Sequence, residues 1–253
     1  MKLSGNTILI TGGATGIGLA MAKALIHFDN RVLICGRRQE KLDEAKQQHP
    51  DVICFCCDVA SADSRRQLID SIIHQNLIPN ILINNAAIMR TYDLATGGEL
   101  DLARVEADLM TNFLAPVALI EQLLPLMKQQ SDPAVINVTS PGGVVPVANV
   151  PIYCACKAAL NSYTKSLRLQ LGNVVEIIEL YPPAVDTAMM DPVDIHKVST
   201  DQFGRDFMKL LKKGGDSLWV GDSKYLKWIN RIMPGLAHRL VNNKARMAHS
   251  DHP

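Results

Sequence analysis

Ile8-Leu9-Ile10-Thr11-Gly12-Gly13-Ala14-Thr15-Gly16-Ile17-Gly18 is the stretch on which the fold turns. A short apolar run enters a segment rich in glycine, and Leu19, Ala22, Leu25 and Ile26 follow at helical spacing. Strand, glycine turn and helix therefore come in that order. Glycines at 12, 16 and 18 do not spell G-x-G-x-x-G, but they meet the same physical need. The turn is tight, missing β-carbons let a ligand come close to the backbone, and the helix N-terminus offers free N–H groups to a pyrophosphate. Thr11, Gly12, Thr15, Gly16, Ile17 and Gly18 are thus candidate cofactor-binding residues. The plainer reading of the same turn is strand-to-helix packing alone.

Outward from this turn the pattern repeats. Val32–Cys35, Val52–Cys57 and Ile81–Ile83 each adjoin an amphipathic stretch, and Val135–Val138, Val174–Leu180 and Leu218–Val220 add three further strands to Thr7–Ile10. This βαβ rhythm predicts an α/β fold: a single Rossmann-type, doubly wound domain over 1–253, its seven-stranded sheet predominantly parallel with helices on both faces. A chain of 253 residues, 47% of them hydrophobic, can bury such a core. The formal charge of +1 supplies no field that would draw nucleic acid, so none is expected as a partner. No apolar run approaches the ~20 residues of a membrane span, and a cytoplasmic address is expected. Cys35, Cys54, Cys56, Cys57, Cys154 and Cys156 lack zinc spacing and read as reduced thiols, and the scattered histidines imply no metal.

The end of the second strand selects between cofactors. An acid there would bind the adenosine ribose and repel a 2′-phosphate, but the sequence is Cys35-Gly36-Arg37-Arg38. Two guanidinium groups suit a 2′-phosphate, which favours NADP(H), with NAD(H) the alternative. Either arginine reads equally as a solvated residue opening the next helix. Asp58, with Val59 beside it, is placed to accept from an adenine amino group or to cap the helix that begins near Ser61.

Tyr153 and Lys157 stand four apart in a helical stretch and so share one face. An ammonium near a phenol favours the phenolate, and a tyrosine so tuned can exchange a proton with a carbonyl or alcohol oxygen. Val135-Ile136-Asn137-Val138 delivers Ser140 to the carboxyl edge of the sheet, where open α/β sheets place ligands. Taken alone, Ser140 before Pro141-Gly142-Gly143 is a turn former.

The glycine turn, Asn84-Asn85-Ala86-Ala87, Asn112, Ser140 and the Tyr153/Lys157 pair stand in an order and spacing that resemble the short-chain dehydrogenase/reductase family over residues 3–190. Ile34-Cys35-Gly36-Arg37, the Tyr153–Lys157 stretch and Pro182–Thr187 are similar to the DltE-type oxidoreductases of that family. The resemblance implies an NAD(P)-dependent oxidoreductase acting on a small alcohol/carbonyl substrate. It implies Tyr153 as acid/base, Lys157 on the nicotinamide ribose, Ser140 orienting substrate and Asn112 holding a relay water. Asn84 with Ala86 would lie beside the cofactor and support the sheet, and Thr187 with the Val185 backbone would meet the nicotinamide amide. Homodimers or homotetramers are implied as well. Ala87 stands where the family has the glycine of N-N-A-G, and Pro183 where P-G is usual, so the nicotinamide pocket should differ in shape. A non-catalytic cofactor-binding regulator, or an epimerase or dehydratase, fits the same fold.

Two segments stand outside the rhythm. Residues 186–215, with Met189, Met190, Phe203, Phe207 and Met208, read as a substrate lid or as a helix packed on the sheet. Residues 224–253 are basic and amphipathic: a terminal helix over the cleft or against another subunit is the plainer reading, contact with an anionic membrane surface the lesser.

Overall fold

The strands are β1 (Thr7–Thr11), β2 (Arg31–Gly36), β3 (Ile53–Cys56), β4 (Ile81–Asn84), β5 (Ala134–Val138), β6 (Glu176–Tyr181) and β7 (Ser217–Trp219). They form one sheet in the order β3-β2-β1-β4-β5-β6-β7, every pair parallel. The structure, a computed structural model, describes residues 2–92, 101–191 and 195–247, with side chains described as far as 243. The expected seven-stranded α/β sheet is therefore observed, with strand ends within two residues of those read from the sequence.

The helices are α1 (Gly16–Ile26), α2 (Gln39–Gln48), α3 (Ala62–His74), α4 (Leu102–Leu109), α5 (Ala115–Met127), α6 (Pro151–Leu171), α7 (Thr200–Lys213), α8 (Ser223–Ile232) and α9 (Pro234–Met247). Both faces of the sheet are covered. Ile8 and Ile10 of β1 pack into one core with α1, α2 and α7, while Leu9 between them packs into a second with α3, α5 and α6. Burial on both faces is why the strands read as unbroken apolar runs rather than as alternating ones.

β1 pairs with β2 on one side and with β4 on the other, so successive strands leave β1 in opposite directions. A crevice opens at the carboxyl ends of strands where such a reversal occurs. The glycine turn after β1 and Asn85-Ala86 after β4 both lie there.

Helices α4 and α5 are joined without a break by a widened π-turn, Met110–Leu114. By length and composition Leu102–Met127 is apolar enough to cross a membrane. Ala115, Leu119, Ile120, Leu123 and Met127 instead pack on the sheet, and Asp108 and Asn112 are fully buried, which makes it a core element of the domain.

The second half of the stretch read as a lid or as a helix packed on the sheet is the packed helix. Phe203, Phe207, Met208 and Leu211 of α7 form one buried face against α1. A β-carbon on Gly204 would lie 3.2 Å from the Ala20 carbonyl oxygen. Only 186–199 is left to border the crevice; Val185 bridges Val198 there, and 192–194 fall outside the described residues.

Candidate active site

The glycine turn is shaped by contacts that only glycine permits. Gly12 and Gly16 have φ of +62° and +55°, in the left-handed region. A β-carbon on Gly18 would sit 2.2 Å from the Gly12 carbonyl oxygen, so α1 begins directly against the end of β1. Thr15 caps α1 with extended backbone and no side-chain hydrogen bond, and the first turn carries no acid. The N–H groups of that turn are left for an incoming anion. Thr187 lies over the same spot: its Cγ2 is 3.1 Å from where a Gly16 β-carbon would be, and its hydroxyl donates to the Val185 carbonyl at 3.2 Å. The turn and the loop after β6, distant in sequence, thus meet at one helix end.

Asn85, which the sequence reading passed over, ties this turn to β4. Its Nδ2 donates to the Thr11 and Gly12 carbonyls at 2.9 and 3.2 Å, and the Thr11 hydroxyl accepts from the backbone of Asn85 and Ala86 at 2.9 and 3.0 Å. Asn84 supports the sheet. It donates to Asn137 at 2.9 Å, and Asn137 donates to the Thr164 hydroxyl on α6 at 2.9 Å. The buried Asn84 Oδ1 has no partner. Asn84 therefore supports β4, β5 and α6 from beneath, while Ala86 is at the crevice.

Arg37 and Arg38 are exposed at the end of β2. Asp58 is exposed after β3 and accepts from Ala60 N at 3.0 Å, while Ser61, not Asp58, caps α3. Val59 is buried, its carbonyl taking the Arg65 guanidinium at 2.6 Å. The arginines and Asp58 rim the crevice on the β2–β3 side.

At the other end of the crevice, Tyr153 and Lys157 lie on the first turns of α6, the ammonium 5.7 Å from the phenol ring centre. Lys157 is only 2% exposed and donates to the carbonyl of Val138, the last residue of β5, at 2.8 Å. Ser140 lies near enough to lower the Tyr153 phenol, and its hydroxyl oxygen accepts from Gly142 N at 3.0 Å, closing the turn in which it sits. A β-carbon on Gly143 would lie 2.7 Å from the Lys157 backbone carbon. The Ser140 turn therefore rests on the backbone of α6, and this contact brings serine, tyrosine and lysine together.

Asn112 occupies the π-turn, a local widening often found at functional sites. Its Oδ1 accepts from Ile88 N at 2.9 Å, and its Nδ2 donates to the Ile88 carbonyl at 2.8 Å. Each amide atom keeps one hydrogen-bonding position in reserve, enough for a water. Nearby, the fully buried Asp108 accepts from Arg90 and, at 2.7 Å, from the Tyr92 hydroxyl. Tyr92 N in turn donates to the Asn149 carbonyl at 2.9 Å. This brace holds the segment after β4 against the loop before α6; no spacing in the sequence announces it.

The electrostatics differ from the sequence expectation. Burial pushes the Tyr153 phenol up to about 12, opposed by the Ser140 hydrogen bond. Burial likewise lowers Lys157 to about 8, opposed by Cys156. Desolvation outweighs the lysine's pull on the phenol because Lys157 points its charge at the Val138 carbonyl. At neutral pH the pair is a protonated phenol beside an ammonium. Such a phenol holds a proton that a forming alkoxide, the stronger base, can take.

Helix α9 packs against α6 and the loop before it. Asn242 clasps the loop before α6, accepting from Ala148 N at 2.8 Å and donating to the Pro146 carbonyl at 3.0 Å. His238, Arg239 and Asn242 then wall a cavity of about 550 Å³ with Pro151, Cys154, Ala155 and Ala158. At about 100° per residue, those α6 positions lie on the flank turned away from Tyr153.

The short chain dehydrogenase family model matches residues 6–197. The protein named "uncharacterized oxidoreductase DltE" of Bacillus subtilis (strain 168) is 39% identical over 221 residues, covering 85% of this chain and 87% of its own. A fatty acyl-CoA reductase of Acinetobacter baylyi is 32% identical over 202 residues, covering 78% of this chain and 68% of its own. Among solved structures, a short chain dehydrogenase from Burkholderia cenocepacia J2315 in complex with NADP has the same fold, with a TM-score of 0.82 at 22% identity over 95% of this chain and 99% of that one.

Proposed function

The chain belongs to the short-chain dehydrogenase family, and from that premise we propose that it is an NADP(H)-dependent reductase of a small carbonyl substrate, with Tyr153 as the proton donor. The observation that carries the reading is the meeting of Tyr153 and Lys157 on the first turns of α6 with the Ser140 turn resting on that helix; at neutral pH Tyr153 is protonated and can donate to a carbonyl oxygen, which suits reduction.

The residues at the crevice fit a dinucleotide. A β-carbon-free turn leads into an uncapped helix end, Thr187 stands over it, and two exposed arginines stand at the β2 end for a 2′-phosphate. NAD(H) is the alternative cofactor, since neither arginine is held by its surroundings toward one ligand. Solved structures of this fold hold NADP, as in the Burkholderia protein, or NADH, as in a 3-ketoacyl-(acyl-carrier-protein) reductase from Brucella melitensis, so the fold accommodates either cofactor. When bound, the dinucleotide supplies the hydride.

In this reading Ser140 holds the substrate oxygen by its hydroxyl, and Tyr153 gives that oxygen its proton as the carbonyl carbon is reduced to the alcohol. Lys157, on the same face of α6, binds the ribose and, while charged, steadies the phenolate left behind. Asn112, with its remaining hydrogen-bonding positions, holds a water through which Tyr153 is reprotonated. The six free thiols suit a cytoplasmic address. Exposed Leu109, Leu114 and Leu169 on α4, the π-turn and α6 suit assembly into homodimers or homotetramers.

The test is Tyr153→Phe. With NADPH oxidation followed across a panel of aldehydes and ketones, turnover should fall by about 10²–10⁴-fold, the usual worth of a general acid, while NADPH binding is kept. Unchanged turnover in the variant would remove Tyr153 from the chemistry. An unchanged biological activity without any turnover would point to the regulatory reading.

A further inference from the structure

Helix α8 carries two adjoining stripes on its solvent side. Tyr225, Trp228 and Ile232, at i, i+3 and i+7, are 56%, 58% and 71% exposed. Lys224, Lys227 and Arg231, each one residue earlier, run beside them and are exposed as well. The apolar stripe continues into Met233 and Leu240, both about half exposed. From Ser223 to Met247 the chain has Lys224, Lys227, Arg231, Arg239, Lys244 and Arg246 and no acid. The inner side of the pair is already engaged: Ser223 donates to the Val220 carbonyl at 2.7 Å, Ala237 is fully buried and Asn242 clasps the 146–148 loop. Solubility alone does not call for a tryptophan, an isoleucine and a tyrosine in one exposed row.

We propose that the outer face of α8 and the start of α9 is a docking surface for an anionic lipid bilayer. Two features single out this occupant. Tyrosine and tryptophan suit the headgroup level of a membrane, where an apolar ring body and a polar edge are both accommodated. A basic stripe flanking the apolar one lets the lysine and arginine heads reach anionic headgroups while their stems lie along the apolar surface. A second copy of this chain fits less well. A two-fold contact through the same face would bring two acid-free basic stripes together, and like charges would oppose it. The domain would lie on the membrane by one helix pair and would not span it.

The measurement is co-sedimentation of the full chain with vesicles of phosphatidylcholine alone and of phosphatidylcholine with about one-third phosphatidylglycerol, at low and high salt. Binding should be about ten-fold or more tighter to the anionic vesicles and should weaken as salt rises. Trp228→Glu/Ile232→Glu should remain in the supernatant with an unchanged melting temperature. Lys227→Ser/Arg231→Ser, both exposed although the Lys227 ammonium also lies 5.7 Å from the Trp219 ring centre, should lose the preference for anionic lipid even if the first variant melts early. Equal binding to both vesicle types, or no binding to either, overturns the proposal. So does a wild-type dimer that the Trp228→Glu/Ile232→Glu change splits into monomers in analytical ultracentrifugation, since the face would then belong to a second copy. None of these readouts depends on the proposed reaction.

Discussion

Lys157 shows how a single residue's burial sets both chemistry and stability. Its ammonium is almost fully enclosed, with one carbonyl as its recorded hydrogen-bond partner, and its pKa falls from the ordinary 10.5 to about 8. Between those values the unfolded chain binds more protons than the folded one, so this residue makes stability rise with pH through that window. Below about pH 8 the folded protein bears the full cost of the buried charge. Lys157→Met should therefore abolish turnover yet stabilise the fold at pH 7 by on the order of 1 kcal/mol, after allowance for the lost hydrogen bond. That gain should vanish by about pH 10. Denaturant melts of both proteins from pH 7 to 10 check this; a gap that stays constant with pH would mean that the charge is not what costs stability. Tyr153 acts with the opposite sign. Its raised pKa makes stability fall with rising pH between the ordinary 10 and about 12, where the unfolded phenol is ionised and the folded one still holds its proton.

At the scale of elements, the site depends on how closely the turn after β5 lies on α6. Gly143 permits that approach, because a β-carbon there meets the Lys157 carbon at 2.7 Å and Ala158 N at 2.9 Å. Gly143→Ala should displace Ser140 from Tyr153, costing about 1–3 kcal/mol and much of the turnover. Gly142→Ala would meet only the Cys154 sulfur at 3.2 Å and the Ser140 oxygen at 3.3 Å, and should be milder. Melting curves and turnover of the two variants give the ranking; a Gly142 variant that is the more damaged would show that the contact with α6 is not what places the serine. The sequence revealed Tyr153 and Lys157 because four-residue spacing is local to one helix. It hid the Gly143 contact because the partner backbone lies in another element. Asn85, Asn137 and Thr164 escaped notice for the same reason: their partners are between 27 and 74 residues away. The Arg90–Asp108–Tyr92 brace joins a loop to a helix and has no period to read. Helix α7 was legible in principle, since 203, 207, 208 and 211 trace one helical face, but Met189 and Met190 drew that stretch toward a lid.

For the whole molecule, the number and position of the strands follow from the rhythm of the sequence, because a parallel sheet buried on both faces writes each strand as a continuous apolar run, while their order in the sheet comes from the structure. The crevice at the β1/β4 reversal is where such a sheet receives a ligand, and residues from the ends of β1, β2, β4 and β5 gather around it. Cofactor selection sits at one end and proton transfer at the other, so each can be altered without the other. The terminal pair α8–α9 was legible only as basic and amphipathic; which side faced inward depended on Asn242 meeting a loop more than ninety residues earlier.

The central claim, a nicotinamide-dependent reductase selective for the phosphorylated cofactor, is tested most directly by titrating the protein and its Arg37→Ala/Arg38→Ala variant with NADPH and NADH, followed by cofactor fluorescence at one fixed salt concentration. NADPH should bind the wild-type protein more tightly than NADH, and the variant should lose that preference while still binding both. Equal affinity, or a preference for NADH, would contradict the assignment of the arginines. Binding of neither cofactor would contradict the reductase itself.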